Sequence, residues 1–326
     1  MHYTSRELRP RVCIHLLCAY VASFGAAASL AEDYPTRPIR IVTSEAGGGN
    51  DVQARLLALG LAPALGVQLV IDNRPSGVVP GDVVSKAPPN GYTLLLYNST
   101  LWIGPLLQTT PYEIERDFSP ITTVATSANV LVVSPAVAAK SVTELIAVAK
   151  ASSGKLNYGS SGTGASNHLA AELFKAMAGV DIVRINYKGA GPALTALLAD
   201  ELQVMFPTAG AVTPYMRTGR VHVIAVTSME PSALLPGVPT VAASGLPGYE
   251  SVSTYGVFAP AKTTRETIVR LNREIVRLLE RPDMKAKFFA AGVEPASGTP
   301  EQLAATMRLE TARISRLIKD AGIRAE

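Results

Sequence analysis

From Arg37 onward, short β-rich runs alternate with longer runs whose apolar residues recur at helical spacing. Ile39-Arg40-Ile41-Val42-Thr43 reads as a strand and breaks at Ser44-Glu45-Ala46-Gly47-Gly48-Gly49-Asn50-Asp51. Val52 to Leu65 then places Val52, Leu56 and Leu59, with Leu57 and Leu61, at the spacing of an amphipathic helix. Val67–Ile71, Tyr92–Tyr97, Ile121–Thr126 and Asn129–Val133 read as further strands. Ser141-Val142-Thr143-Glu144 is a capping box that opens a helix to about Ser152. Lys155–Tyr158, Asp181–Ile185, Gln203–Phe206, Val221–Thr227 and Val252–Phe258 complete the predicted strands, with helices after most of them. The C-terminal end is helical. Thr264–Arg281 carries its apolar face on Ile268, Leu271, Ile275, Val276 and Leu279, and Thr299-Pro300-Glu301-Gln302 caps a long closing helix. Strands alternating with helices predict an α/β fold of parallel sheets with helices on both faces.

The N-terminal residues fall outside this pattern. Arg6, Arg9 and Arg11 precede a short apolar run, Val12 to Ala22, and Ser29-Leu30-Ala31 fits a small-x-small cleavage site. Residues 1–31 therefore read as a secretory signal peptide, which predicts a periplasmic, freely soluble mature chain. Both cysteines, Cys13 and Cys18, lie in that segment, so the mature chain has no thiol chemistry and no disulfides. His2 and His15 leave with it, and only His168 and His222 remain, which argues against a histidine metal centre. Three of the 30 basic residues and one of the 26 acidic ones lie there too. The net charge of +4 falls to +2, too small to point to nucleic acid. The residues call for no cofactor.

One stretch invites chemistry. Ser160-Ser161-Gly162-Thr163-Gly164-Ala165-Ser166-Asn167-His168 follows a strand and feeds the apolar-periodic run Leu169–Ala178. Glycines, hydroxyls and a helix N-terminus together favour an anion, because the first N–H groups of a helix lack intrahelical acceptors. The plain alternative is a strand–turn–helix corner with a serine N-cap. The glycine loop before Val52 repeats the same physics.

The chain resembles the Bug, or TctC-type, periplasmic solute receptors of tripartite tricarboxylate transporters. The resemblance is carried, in order, by Tyr34-Pro35, Gly47-Gly48 with Asp51 and Ala54-Arg55, Asn73-Arg74-Pro75, Asn90-Gly91-Tyr92, Lys155-Leu156-Asn157-Tyr158, Ser160-Ser161-Gly162, His168-Leu169-Ala170, Tyr187-Lys188-Gly189, Gly237-Val238-Pro239-Thr240 and Phe258-Ala259-Pro260. It implies a two-lobed periplasmic-binding-protein fold of type II-like kind with two interlobe crossovers. Lobe one would be 34–133 plus 255–326 and lobe two 134–254. It implies a monomeric, non-catalytic receptor that takes a small carboxylate, or an amino-containing carboxylate, between the lobes and passes it to a membrane permease or a sensor protein. The ligand-binding set it implies is Glu45, Ala46, Gly47, Gly48, Asn50 and Asp51 from the first loop. Ser160, Ser161, Thr163, Gly164, Ser166, Asn167 and His168 come from the second, with Lys188, Gly189 and Thr208.

The chain departs from that family at Ser44-Glu45-Ala46, where an aromatic and a proline are usual, and at Arg184 and Asn186, which stand for the more usual His and Pro. Pro207-Thr208 stands where an acidic residue is common. Glu45 beside an anion site would repel an acid. Either it pairs with an ammonium on the solute, or it faces solvent or a lobe-two cation such as Lys188. Tyr187 and Tyr255 either wall the cleft or pack the hinge. The competing reading is a secreted α/β hydrolase of a small ester or amide. Gly159-Ser160-Ser161-Gly162-Thr163 lacks the second glycine of a nucleophile elbow at the required position, and the supply of histidine bases is thin.

Overall fold

The computed structural model describes residues 1–2, 34–75, 77–187, 189–216 and 218–323. Residues 3–31 of the expected signal peptide and Lys188 lie outside them. Two mixed sheets form the frame. The first holds β1 (Ile39–Thr43), β2 (Leu69–Asn73), β3 (Thr93–Asn98), β4 (Phe118–Ala128), β10 (Val252–Pro260) and β11 (Glu294–Pro295) in the order β11-β4-β10-β3-β1-β2. The second holds β5 (Val130–Val133), β6 (Asn157–Ser160), β7 (Val183–Asn186), β8 (Val204–Met205) and β9 (His222–Val226) in the order β7-β6-β8-β5-β9.

The sheets are not purely parallel, as alternation alone predicted. β1 pairs in parallel with β2 and β3, but β10 runs antiparallel to both β3 and β4. In the second sheet β6 pairs in parallel with β7 and β8, whereas β5 is antiparallel to β8 and β9. Apart from the two-residue β11, which pairs antiparallel with β4, the antiparallel strands are those next to the passages between the sheets. A chain that leaves one sheet and later returns to it brings its two connecting strands side by side in opposite directions.

The chain passes from the first sheet to the second at Asn129, so β5 lies in the second sheet. The run from Ile121 to Val133 is β-rich throughout. The break is made by one buried asparagine whose partners are remote in sequence. Asn129 Nδ2 donates to the Phe206 carbonyl, and Asn129 O accepts from both Thr227 N (2.9 Å) and Thr227 Oγ1 (2.8 Å). Thr227 in turn exchanges bonds with Ser251, just before β10 returns the chain to the first sheet. Asn129, Thr227 and Ser251 thus lash the two passages together.

Helices cover both faces of each sheet. α1 (Gly49–Leu65), α9 (Arg265–Glu280) and α10 (Pro282–Ala290) enclose one face of the first sheet. α2 (Val79–Ser85), α3 (Thr100–Ile103) and α11 (Pro300–Asp320) enclose the other. α4 (Ile114–Asp117) leads into β4. α1 buries Ala54, Leu57, Leu61 and Leu65 and leaves Leu59 exposed, a face rotated from the predicted one. Gly60 allows the crossing, because a Cβ there would lie 2.3 Å from Leu278 of α9. α9 buries Ile268, Leu271, Ile275, Leu278 and Leu279, with Leu278 in place of Val276. In lobe two, α5 (Val142–Ala151) and α6 (Ser166–Ala178) pack one face of the sheet, and α7 (Ala190–Leu198) and α8 (Ala209–Met216) the other. The predicted caps are in place: Ser141 Oγ accepts from Glu144 N, and Thr299 with Gln302 forms a full capping box.

The lobes touch on both flanks of the passages. On the β3 side, Leu169 of α6 is buried within the lobe-one cluster of Val42, Leu95, Tyr97 and Ile103. Leu107, just beyond α3, packs so near Gly164 that a Cβ there would lie 2.5 Å from its Cδ1. Arg313 of α11 pairs with Glu250 at 2.6 Å. On the β11 side, Ser232 Oγ donates to Glu294 Oε1 at 2.5 Å, and Gly210 of α8 abuts Gly292 backbone to backbone.

Candidate functional site

Both glycine loops lie at the carboxyl ends of parallel strands, where open α/β sheets place ligands. The first joins β1 to α1. Gly47 turns it with φ +83°, a conformation open to glycine and costly to other residues. Gly48 is extended and occupies the N-cap of α1 with no side-chain cap among the described residues. Glu45, Ala46 and Gly47 form the exposed tip. Glu45 lies back over the turn: its carbonyl accepts from Gly48 N, and its Oε1 would stand 3.6 Å from a Cβ at Gly48.

Asp51 is buried, and its carboxylate is committed within lobe one. It accepts from Gly47 N (2.8 Å), Arg55 Nε (3.0 Å) and Asn73 Nδ2 (2.8 Å). Burial alone would raise its pKa. The hydrogen bonds from Arg55, Gly47 and Asn73 outweigh burial and hold it below the usual aspartate value. Asn73 also donates to the Ser44 carbonyl at 2.7 Å, so both ends of the loop are tied to β2. Asn50 is buried beside them. Its Nδ2 donates to Ser44 Oγ at 3.2 Å, while its Oδ1 has no partner among the described residues. Tyr255 of β10 lies over the same turn, with its hydroxyl 2.8 Å from where a Gly49 Cβ would be. Burial raises its pKa and keeps it a neutral phenol. Of the two tyrosines, Tyr255 therefore adjoins the first loop. Tyr187 packs against the lobe-two core and donates its N–H to Ser160 O at 2.8 Å.

The second loop joins β6 to α6. Its internal bonds consume acceptors. Asn167 Oδ1 accepts from Ser161 N (3.3 Å) and Ser161 Oγ (3.1 Å), which orients the amide so that Nδ2 is left as a donor. His168, also buried, accepts at Nδ1 from Gly164 N at 3.1 Å. α6 starts at Ser166 behind Ala165, with no side-chain cap among the described residues, so its first N–H groups keep their donor character. Gly164 takes φ +77°. Gly189 and Thr208 precede two further helices at the ends of β7 and β8. Gly189 stands at the uncapped start of α7, and exposed Thr208, which bridges to Asn129, leads into α8.

Arg184 stood out in the sequence only as a departure. In the structure its Nε donates to Ser160 Oγ (2.8 Å), and its terminal amine to Thr163 Oγ1 (3.0 Å) and Asn186 Oδ1 (3.3 Å). The hydrolase alternative needs an activated serine. Here Ser160 Oγ accepts from an arginine, Ser161 Oγ gives its hydrogen to Asn167, and His168 turns Nδ1 to Gly164. Among the described residues no group of three or more His, Cys, Asp and Glu could hold a metal. No described helix is long and apolar enough to cross a membrane. A cavity of about 1140 Å³ lies elsewhere on lobe one, between Trp102, Tyr112, Phe118 and Met307. It touches neither loop.

Two α/β lobes joined by two adjacent passages, with helix N-termini gathered at strand ends, define a cleft-type binding protein. The chain belongs to the tripartite tricarboxylate transporter receptor family, whose description matches residues 53–323. It is 35% identical over 322 residues to a protein encoded between tcbD and tcbE in Pseudomonas sp. strain P51, covering 97% of this chain and 96% of that one. It is likewise 35% identical over 310 residues to Protein BugT of Bordetella pertussis, covering 93% and 95%. Among solved structures, R. palustris Rpa4515 with adipate superposes with a TM-score of 0.79 at 33% identity, covering 90% of this chain and all of that one.

Proposed function

We propose that this protein is a periplasmic receptor that captures a small organic acid between its lobes and presents the closed form to a membrane permease or a sensor protein. The observation that carries this reading is the polarity of the second loop. Its side-chain acceptors at Asn167, His168, Ser160 and Thr163 are taken by internal bonds that also spend Ser161 N–H, Ser161 O–H and Gly164 N–H, and the donors left are Asn167 Nδ2, the Thr163 hydroxyl and the uncapped N–H groups of α6. A loop of donors at a helix N-terminus suits a carboxylate. The first loop adds an uncapped helix start and the amide oxygen of Asn50, which has no partner among the described residues and suits a bridging water or a donor on the solute. The adipate bound to the R. palustris relative supports the same class. The receptor reading involves no catalytic step, and the commitments of Ser160, Ser161 and His168 support it over hydrolysis. Signal-peptide cleavage after Ala31 would deliver the chain to the periplasm.

The test is a thermal-shift screen of aliphatic and aromatic carboxylates, amino acids and amides on the mature protein. A solute at 100 times its Kd stabilises by about 2.7 kcal/mol. For a chain of about 300 residues this is a rise on the order of 4 °C. A screen in which no carboxylate shifts the protein, while an ester or amide is turned over, refutes the receptor reading.

A further inference from the structure

We propose that Arg184 sets the charge selectivity of the cleft, making the lobe-two loop a reader of formal negative charge rather than of hydrogen-bond acceptors in general. The inference rests on the carboxylate-receptor reading and adds to it the residue that separates an acid from its neutral amide.

Arg184 engages two hydroxyls, those of Ser160 and Thr163. A guanidinium only donates, so the oxygens of Ser160 and Thr163 must accept. Ser160 Oγ, fully buried, passes its own hydrogen on to Asn186 Oδ1 at 3.4 Å. Thr163 is half-buried in the loop itself. With its oxygen accepting from Arg184 at 3.0 Å, its hydrogen is left to be donated. Arg184 therefore acts twice. It turns the Thr163 hydroxyl into a donor, and it sets a permanent positive charge behind that donor. A carboxylate oxygen that accepts from Thr163 Oγ1 at about 2.7 Å lies within about 6 Å of the guanidinium. In a closed cleft this is inside the range where charges act without salt screening.

Geometry fixes Arg184 in that position. Its Cα partner across the ladder is Tyr158, whose hydroxyl donates to Glu172 Oε1 at 2.6 Å. Lys175 neutralises Glu172 at 3.0 Å, so the carboxylate nearest along α6 already has its cation. The fork of Nε and the terminal amine spans Ser160 and Thr163, two oxygens three residues apart on either side of the strand end. Lysine has the charge without the fork, and glutamine can bond a hydroxyl without the charge. The two substitutions separate the roles.

The experiment uses the mature protein and straight-chain α,ω-dicarboxylates of four to eight carbons, each compared with its diamide by titration calorimetry. The unaltered receptor is expected to prefer the best acid over its diamide by on the order of 100-fold. Arg184→Gln is expected to weaken the acid by about 10- to 100-fold and to change the diamide by less than about threefold, whereas Arg184→Lys keeps the acid within about tenfold. Equal losses in the Gln and Lys variants, or equal losses for acid and amide, mean that Arg184 only props the loop and overturn the proposal. No loss in Arg184→Gln overturns it as well. Should the variants fail to fold, the unaltered protein still decides: a diamide bound as tightly as its acid overturns the assignment. If the unaltered protein binds no carboxylate of any kind, it is the receptor reading that fails, and the two failures are distinct.

Discussion

Replacing Asp51 with alanine is the sharpest probe of how the first loop works. The residue type and position suggest a ligand contact, but the structure ties its carboxylate to three donors of its own lobe. Removing it orphans one N–H of the partly buried Asn73, while Gly47 N–H at the exposed tip and Arg55 turn to water. An unsatisfied buried donor costs about 1–3 kcal/mol, and the loss is of that size. In a chain of about 300 residues this lowers the melting temperature by roughly 2–5 °C. Urea unfolding should give a lower midpoint at unchanged slope. Solute affinity should fall by about tenfold, because Gly47 and Gly48 lose their anchor yet remain in place. The pH dependence carries a sign. The folded pKa of Asp51 lies below its unfolded value, so its contribution is present above about pH 4 and is lost as pH falls through the folded value. The gap between wild type and Asp51→Ala should therefore close in acid. If Asp51→Ala leaves melting and urea midpoints untouched and removes binding outright, the carboxylate faces the solute and the reasoning is wrong.

Two other measurements address closure. Gly210→Ala places a Cβ 3.2 Å from the Gly292 Cα of lobe one, a backbone atom that cannot swing away. We expect about three- to tenfold weaker binding and a more open apo form by X-ray scattering, with apo stability equal or higher because alanine favours α8 by up to about 1 kcal/mol; wild-type affinity would refute the contact as part of closure. Trp102, the only tryptophan of the chain, donates Nε1 to Glu310 Oε2 at 2.8 Å, and Thr254 donates to the other oxygen at 2.7 Å. Burial raises the Glu310 pKa against the lowering effect of those two donors and Arg313. An acid with a raised folded pKa favours the fold below its unfolded value near 4.5, and that benefit is lost as pH rises through the folded value, opposite in sense to Asp51. Tryptophan emission should titrate with a midpoint above 4.5 and lose that step in Glu310→Gln; a midpoint at or below 4.5 would contradict the burial argument.

What was legible in the sequence is what local chemistry determines. The caps at Ser141 and Thr299, the β1 and β3 strands and most of the α9 face follow from spacing and residue type within a few positions. Both glycine loops follow from strand, glycine and helix in succession. What was not legible depends on partners far away in the chain. Asn129 ends β4 because Phe206 and Thr227 receive it, and a run of β-formers gives no local sign of that. Strand β11 is two residues long and exists because β4 offers an edge. Asp51 reads as a ligand group until Asn73, 22 residues on, claims it. Gly210 and Gly292 look like ordinary loop and helix residues until the lobes meet.

Leu169 links the lobe-two loop to the lobe-one core. α6 starts uncapped at Ser166, and one turn later Leu169 enters the lobe-one core, 5% exposed. Helix geometry makes these a single rigid unit, since residues three apart lie on the same face. Any shift that draws the donors of Thr163 and Asn167 toward a solute held by the first loop also drives Leu169 toward Ile103 and Ile314. Full burial of a leucine contributes about 1.5–3 kcal/mol. Closure thus gains from an apolar contact that is independent of which acid is bound. On the role proposed for Arg184, discrimination is left to polar groups on the loops, so that a chain can keep the two-lobed frame while departing from the family pattern at Glu45 and Arg184; Thr208, which bridges to Asn129, is tied to the passages instead.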